Sequence, residues 1–168
     1  MKTEEFKNIV NDLIENKTVQ KMKNYKQHFS TSCFEHCYSV SYYCYLICKK
    51  FNLDYKSATR AGMLHDLFLY DWHERSTTHR FHAFYHGKVA CKNACELFEL
   101  NQKEKDMIIR HMWPVTFAFP NSFEGFILTC VDKYCATKEF WQAIKYLTYS
   151  KKSFRYTYMF LGLLIFKL

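Results

Sequence analysis

Six side chains in this 168-residue sequence carry nitrogen or oxygen donors suited to divalent cations: His36, the adjacent pair His65 and Asp66, His86, His111 and Asp132. Intervals of 29, 21, 25 and 21 residues separate His36, His65, His86, His111 and Asp132 in turn. Each group then sits on, or at an end of, a different helix or helix-adjacent loop, and a bundle can turn all of them inward to one point. Imidazole nitrogen and carboxylate oxygen suit Fe, Mn, Co, Ni or Zn, and an aspartate can bridge two ions where a histidine cannot. An adjacent His and Asp at a helix end reach one ion pair only where the backbone breaks locally. The residues after Asp66 keep neither helical nor strand period, which supplies such a break.

Helical periodicity supplies the elements that must hold these groups. Residues 4–15 form an amphipathic helix with Phe6, Ile9, Val10, Leu13 and Ile14 on one side, followed by a basic stretch (Lys21, Lys23, Lys26) that reads as a lid or flank. A second helix spans 34–51 and closes on Asn52, and Asp54 caps a third over 55–66. Residues 67–86 read as a long functional loop, because structureless connections of this length are uncommon in compact domains unless they line a site. Periodicity returns at 87–100. Asn101 with Glu104 then makes a capping-box start for a helix to about 112, stopped by Pro114. Asn121 with Glu124 repeats the device for a helix over 122–136, and Thr137 is placed to cap another over 140–147. The apolar segment 154–168 is about 15 residues, short of the ~20 a membrane span needs. It reads as a helix packed on the bundle, with a peripheral membrane or dimer contact as the less favoured alternative. The expected architecture is all-α: a single-domain helical bundle with a flank at 1–29, a metal-binding region at 30–140 and C-terminal helices at 141–168 packed on the same domain.

Composition narrows the function classes. With 49% hydrophobic residues, four Gly and two Pro, the chain is neither disordered nor collagen-like nor a turn-dense β protein. Eight cysteines lack any CxxC pair, and the first residues have no uninterrupted apolar stretch of the signal-peptide kind. A reducing, cytoplasmic setting is expected. There Cys33/Cys37, Cys44/Cys48 and Cys91/Cys95 act as small buried hydrophobes on helix faces. The formal charge of +8 favours an anionic partner. No helix-turn-helix, zinc-finger or RNA-binding signature accompanies it, so an anionic small molecule is expected rather than nucleic acid. Oligomeric state does not follow from the sequence.

The motif GMLHDL, preceded by a helix bearing His36 and followed by the aspartate of VDKYCA, resembles the HD-domain metal-dependent phosphohydrolase superfamily over roughly residues 30–140. His86 in HAFYHGKVA and His111 in IIRHMWP resemble the additional histidines of binuclear subfamilies, among them bis(nucleosyl)-tetraphosphate hydrolases and cyclic-dinucleotide phosphodiesterases. The GYP motif of the cyclic-di-GMP enzymes is missing, which disfavours that substrate. Gly87 stands where many relatives have Pro, a change expected to alter a loop turn. The resemblance implies that His36, His65 and Asp132 bind a first ion, that Asp66 bridges, and that His86 and His111 bind a second.

The activity so implied is hydrolysis of a phosphate ester or anhydride, expected to be that of a nucleotide, by metal-bound hydroxide, with Asp66 also orienting the nucleophile. Cations beside the motifs, Arg60, Arg80, Lys88, Arg110 and Lys133, are candidates to neutralise phosphoryl oxygens, with Lys133 and Arg80 preferred for catalysis. His82, Lys88 and Trp72 are candidate substrate contacts, whereas His28, His73 and His79 read as surface residues. Phe68, Tyr70, Trp72, Phe81, Phe84 and Tyr85 offer rings to stack a nucleobase, and Trp113–Pro114 with Phe117 to Pro120 an opposite wall. Two other classes fit the same ligands: a mixed-valent di-iron oxygenase, and a non-catalytic nucleotide-binding module. The co-purifying metal, an oxygen requirement and turnover of generic phosphate esters separate them.

Overall fold

The computed structural model describes residues 2–28, 31–70 and 82–150. Among these, helices dominate: α1 (Lys2–Ile14), α2 (Lys17–Gln20), a 3-10 turn (Lys21–Asn24), α3 (Cys33–Lys50), α4 (Tyr55–Leu64), α5 (His82–Leu97), α6 (Gln102–Arg110) and α7 (Phe123–Ser150). A short antiparallel hairpin, β1 (Lys26–His28) with β2 (Thr31–Ser32), leads into α3. The fold is all-α apart from this hairpin, which the sequence reading did not anticipate.

The α3–α4 pair is the scaffold. Ser32 and Glu35 start α3 with a reciprocal box: Ser32 Oγ accepts from Glu35 N–H at 3.2 Å, and Glu35 Oε2 accepts from Ser32 N–H at 2.9 Å. Asn52 takes the left-handed conformation (φ 55°) that turns the chain, and the Asp54 carboxylate caps α4 by accepting from Ser57 N–H at 3.1 Å. The two helices then cross closely. A Cβ on Gly62 would lie 2.9 Å from Ser41 Cα, so a side chain there would force the backbones apart. Ser41 Oγ donates to Thr59 O at 2.7 Å across the same contact. Cys33, Cys37, Cys44 and Cys48 are buried along α3 as free thiols, the small core role expected of them.

Helix α1 docks its Phe6, Val10 and Leu13 into the core, where the Phe6 ring sits edge-on to Tyr38 and Tyr42 at 5.4 and 5.1 Å. The basic stretch after it is a flank: Val19 and Met22 are buried while Lys21 and Lys23 are exposed. Asn101 and Glu104 form the expected capping box of α6.

Three expectations need correction. Helix α5 begins at His82 rather than at residue 87, so His86 and Gly87 belong to a helix and not to a loop. The two helices expected over 122–136 and 140–147 are one, and the proposed boundary at residue 141 falls inside α7. Thr137 caps nothing there. Its hydroxyl donates back to Lys133 O at 2.7 Å, the bond a threonine makes within a continuous helix. Asn121 and Glu124 do not box the start of α7 either: Ser122 Oγ accepts from Gly125 N–H at 3.1 Å, while Asn121 binds Asp106. Among the described residues no helix is long and apolar enough to cross a membrane. The segment 154–168 lies outside the described residues.

Candidate metal centre

Long-range contacts bring the six donors together in the interior. His36 lies one turn into α3, and His65 is the residue that ends α4, with Asp66 next in the turn that follows. The expected backbone break is present there: Phe68 N–H donates to Asp66 O at 2.8 Å and Leu69 adopts φ 38°. Asn93 Nδ2 donates to Leu67 O at 2.7 Å, tying this corner to α5. His86 lies in the second turn of α5, His111 ends α6 and Asp132 lies on α7. All six are buried.

Two of the rings are aimed by the same device. His65 Nδ1–H donates to Gly62 O at 2.8 Å, and His111 Nδ1–H donates to Ile108 O at 2.7 Å, each to the carbonyl three residues back at a helix end. A neutral ring that donates from Nδ1 presents its lone pair at Nε2, and in both cases Nε2 faces the cluster. His36 Nδ1 faces the Glu139 carboxylate instead, at 3.0 and 3.2 Å, with Nε2 at 3.1 Å from Asp132 Oδ1.

The Asp66 carboxylate divides between two groups of imidazoles. Its Oδ2 lies 3.4 Å from His65 Nε2, while its Oδ1 lies 3.3 Å from His86 Nε2 and 3.6 Å from His111 Nε2. His65 Nε2 is also 3.7 Å from Asp132 Oδ1, and His86 Nε2 is 2.9 Å from His111 Nε2. Three triads have ligand atoms close enough to share one cation: His36, His65 and Asp66; His65, His111 and Asp132; Asp66, His86 and His111.

The residues could hold a cation, and one atom is left for it. His65 Nε2 is buried and makes no hydrogen bond, an arrangement that costs free energy unless something else occupies its lone pair. The electrostatics agree. Burial disfavours ionised carboxylates, yet at Asp66 it is outweighed by His65, His86 and His111, and the acid is held well below the usual carboxylate range. Asp132 is depressed likewise, burial being outweighed by His36 and His65. For His36 and His65 burial disfavours the charged ring, but Asp132 with Glu139, and Asp66, respectively, raise both well above the ordinary value. Burial and the His65 charge push His111 down to about 3. Cations at this centre would take the place of the protons that the carboxylates otherwise attract.

The structure sorts the remaining candidates. Lys133 stands at the rim: its Nζ donates to His111 O at 3.1 Å and lies 3.7 Å from Asp132 Oδ2. Lys88 is exposed, two positions from buried His86 and on a different side of α5, so it is not among the converging groups. Arg60 is engaged elsewhere, by both Asp12 oxygens at 2.8 and 2.9 Å, and Arg110 by Asp106 at 2.6 Å and Phe119 O at 3.1 Å. Phe68 is buried against His86, ring centroids 5.9 Å apart, and is core rather than a nucleobase platform. Trp72, Arg80 and Phe81, and the His82 side chain, lie outside the described residues. The expected opposite wall is a separate feature: Phe119, Pro120, Phe123 and Phe126 line a cleft of about 360 Å³ that none of the six donors reaches. Gly87 shapes no loop turn. A Cβ there would meet Ile108 O at 2.9 Å and Ile109 O at 3.0 Å, so its missing side chain lets α5 press against the end of α6.

One residue of the centre escaped the sequence reading. Glu139 lies seven positions after Asp132, two turns along the same helix face, but a helix break expected at Thr137 concealed the relation.

Over residues 33–137 the sequence matches the HD domain family. Comparison with curated proteins and with solved structures gives no match. The matched stretch opens on the first residue of α3, closes five residues after Asp132, and contains all six donors. Since it covers more than half of the sequence, the chain belongs to the HD-domain family, a superfamily of metal-dependent hydrolases.

Proposed function

We propose that this protein hydrolyses a phosphate ester or anhydride of an anionic small molecule, a nucleotide being the favoured class, at a centre of two divalent ions. The observation that carries the reading is the division of the Asp66 carboxylate, with Oδ2 toward His65 and Oδ1 toward His86 and His111. His36, His65 and Asp132 would hold one ion, His86 and His111 the other, with Asp66 shared between them. Bound there, divalent ions supply a water whose pKa falls from about 15.7 toward ~7 and Lewis acidity for a phosphoryl oxygen.

The protein's own groups do the rest. Asp66, kept ionised by its imidazole neighbours, would accept a hydrogen bond from the attacking water and so orient it. Lys133 uses one of its three N–H donors on His111 O and directs the others toward an anionic oxygen at the rim. Burial of the six donors excludes bulk water and strengthens every charge interaction among them. Half-buried Tyr70 and exposed Phe84 and Tyr85 remain as rings for a base, with Trp72, Arg80 and His82 as further substrate contacts.

Elemental analysis after Mn²⁺ loading, beside turnover of a panel of nucleotides and simple phosphate esters, tests this. The expected result is release of phosphate or a phosphorylated product, loss of all metal in His65→Ala and loss of about half in His86→Ala. Unchanged metal in His86→Ala would remove the second ion. Oxygen consumption with bound iron and no phosphate release would replace hydrolysis with oxygenase chemistry.

A further inference from the structure

We propose that Glu139 is a positioning residue for the metal centre, which sets the tautomer of His36 and thereby the affinity of its Nε2 for a divalent cation. The inference rests on the metal-centre reading above. It concerns a residue two positions beyond the stretch matched by the family, and so no part of the shared donor pattern.

The His36 ring is clamped between two carboxylates borne seven residues apart on α7, Glu139 at Nδ1 and Asp132 at Nε2. A neutral imidazole carries one N–H, and its position decides which nitrogen is a ligand. The Glu139 carboxylate accepts only, and both of its oxygens lie within 3.2 Å of Nδ1, so when a cation displaces the proton that Nε2 shares with Asp132, the remaining proton is held at Nδ1. His65 and His111 obtain the same tautomer from backbone carbonyls that their own helix ends provide. His36, one turn into α3, has no such helix-end carbonyl, because the carbonyls of that turn accept from the amides of the next. A side chain from another helix must therefore supply the acceptor, and a carboxylate also raises the basicity of the ligating nitrogen.

Glu139 is itself prevented from turning away. It is 8% exposed. The neighbouring Lys138 is engaged with Tyr43, donating to its hydroxyl at 3.3 Å, so the adjacent ammonium does not capture the carboxylate. Glu139 also lines a cleft of about 100 Å³ together with Thr31, Ser39 and Gln142.

The test is a Mn²⁺ titration of wild type, Glu139→Gln and Glu139→Ala, read by the EPR signal of free ion, with far-UV circular dichroism of the metal-free proteins beside it. Glu139→Ala is expected to weaken Mn²⁺ binding about 10- to 100-fold at unchanged helix content. Glu139→Gln keeps an oxygen that accepts from Nδ1–H and is expected to retain most of the affinity. In the Zn²⁺-loaded protein, long-range ¹H–¹⁵N correlation is expected to show His36 protonated at Nδ1. Wild-type affinity in Glu139→Ala, equal losses in Gln and Ala, or a His36 protonated at Nε2 would each overturn the proposal. If Glu139→Ala does not fold, the Gln variant and the tautomer spectrum decide it. A wild-type chain that takes up no Mn²⁺ would instead overturn the metal-centre reading itself.

Discussion

The α3–α4 pair carries a polar cluster at each end, and the two differ in how completely they are satisfied. At the end where α3 closes and α4 opens, Glu5 of α1 accepts from Tyr45 and Tyr55 hydroxyls at 3.0 Å each and from Lys49 Nζ. At the other end His36, His65 and Asp66 meet His86, His111 and Asp132, and His65 Nε2 makes no hydrogen bond. The first cluster has cation and anion matched within itself, and Lys49 also lies over the Tyr45 and Tyr55 rings at 5.2 and 5.3 Å. The second gathers lone pairs and carboxylate oxygens facing one another. A protein interior tolerates that arrangement when an outside cation completes it. Polar residues alone therefore do not distinguish the two ends of this helix pair; the crowding of imidazoles and carboxylates without a completed hydrogen-bond set does.

Metal removal should separate the two ends most sharply. At a Mn²⁺ concentration 100-fold above Kd the loaded protein gains about 2.7 kcal/mol, or about 5–10 °C in Tm, over the chelated form. The same shift is expected in Glu5→Gln, and differential scanning fluorimetry of both proteins with and without chelator checks it. A shift absent from wild type breaks the comparison.

Gly87→Ala should act next most strongly. The added methyl group would stand 2.9 Å from Ile108 O and 3.4 Å from His111 Cε1, forcing α5 off α6. A loss of about 1–3 kcal/mol in urea denaturation is expected, with reduced metal content because His86 moves from His111. Unchanged metal content at reduced stability would separate packing from ligation here.

Glu5→Gln should lower Tm without changing metal content. Lys49 first, then Tyr45 and Tyr55, pull the Glu5 pKa down to about 2, against about 4.3 in an unfolded chain. A depressed acid stabilises the fold fully above the unfolded value and loses that contribution as pH falls through the folded one. The Tm difference between wild type and Glu5→Gln should therefore shrink from pH ~5 to pH ~2. A difference that grew in that window would mean the carboxylate is not paired. Arg60→Ala should cost about 0.2–1 kcal/mol from loss of the exposed Asp12 pair, and more from the contact with buried Glu104 at 3.5 Å, with substrate KM unchanged because Arg60 ties α4 to α1 and α6. A raised KM would return Arg60 to the site.

How far the sequence could be read followed the range of the interactions involved. The Asn101–Glu104 box, the Asp54 cap and the end of α3 at Asn52 were legible because each closes within three residues. The six donors were legible because their chemical types are rare together, and the family pattern ordered them. Thr137 misled, since a threonine suits a helix start and also bonds back to the carbonyl four residues earlier inside a helix. With the helix cut there, Glu139 was invisible. Arg60 and Arg110 looked available for phosphate because their carboxylate partners, Asp12 and Asp106, declare themselves only in three dimensions for the first and by helix register for the second.

By itself the sequence determined the donor types, the helices that carry His36, His65 and His111 and the broken backbone at His65–Asp66, because these depend on side-chain chemistry and on bonds between near neighbours. Tertiary structure decided which oxygen meets which nitrogen. His36 reaches Asp132 across 96 residues and Glu139 across 103, and such pairings exist only after α3, α4 and α7 have packed. That packing turned the Glu5 cluster into a closed set of matched charges and left the histidine end with lone pairs directed at a common point.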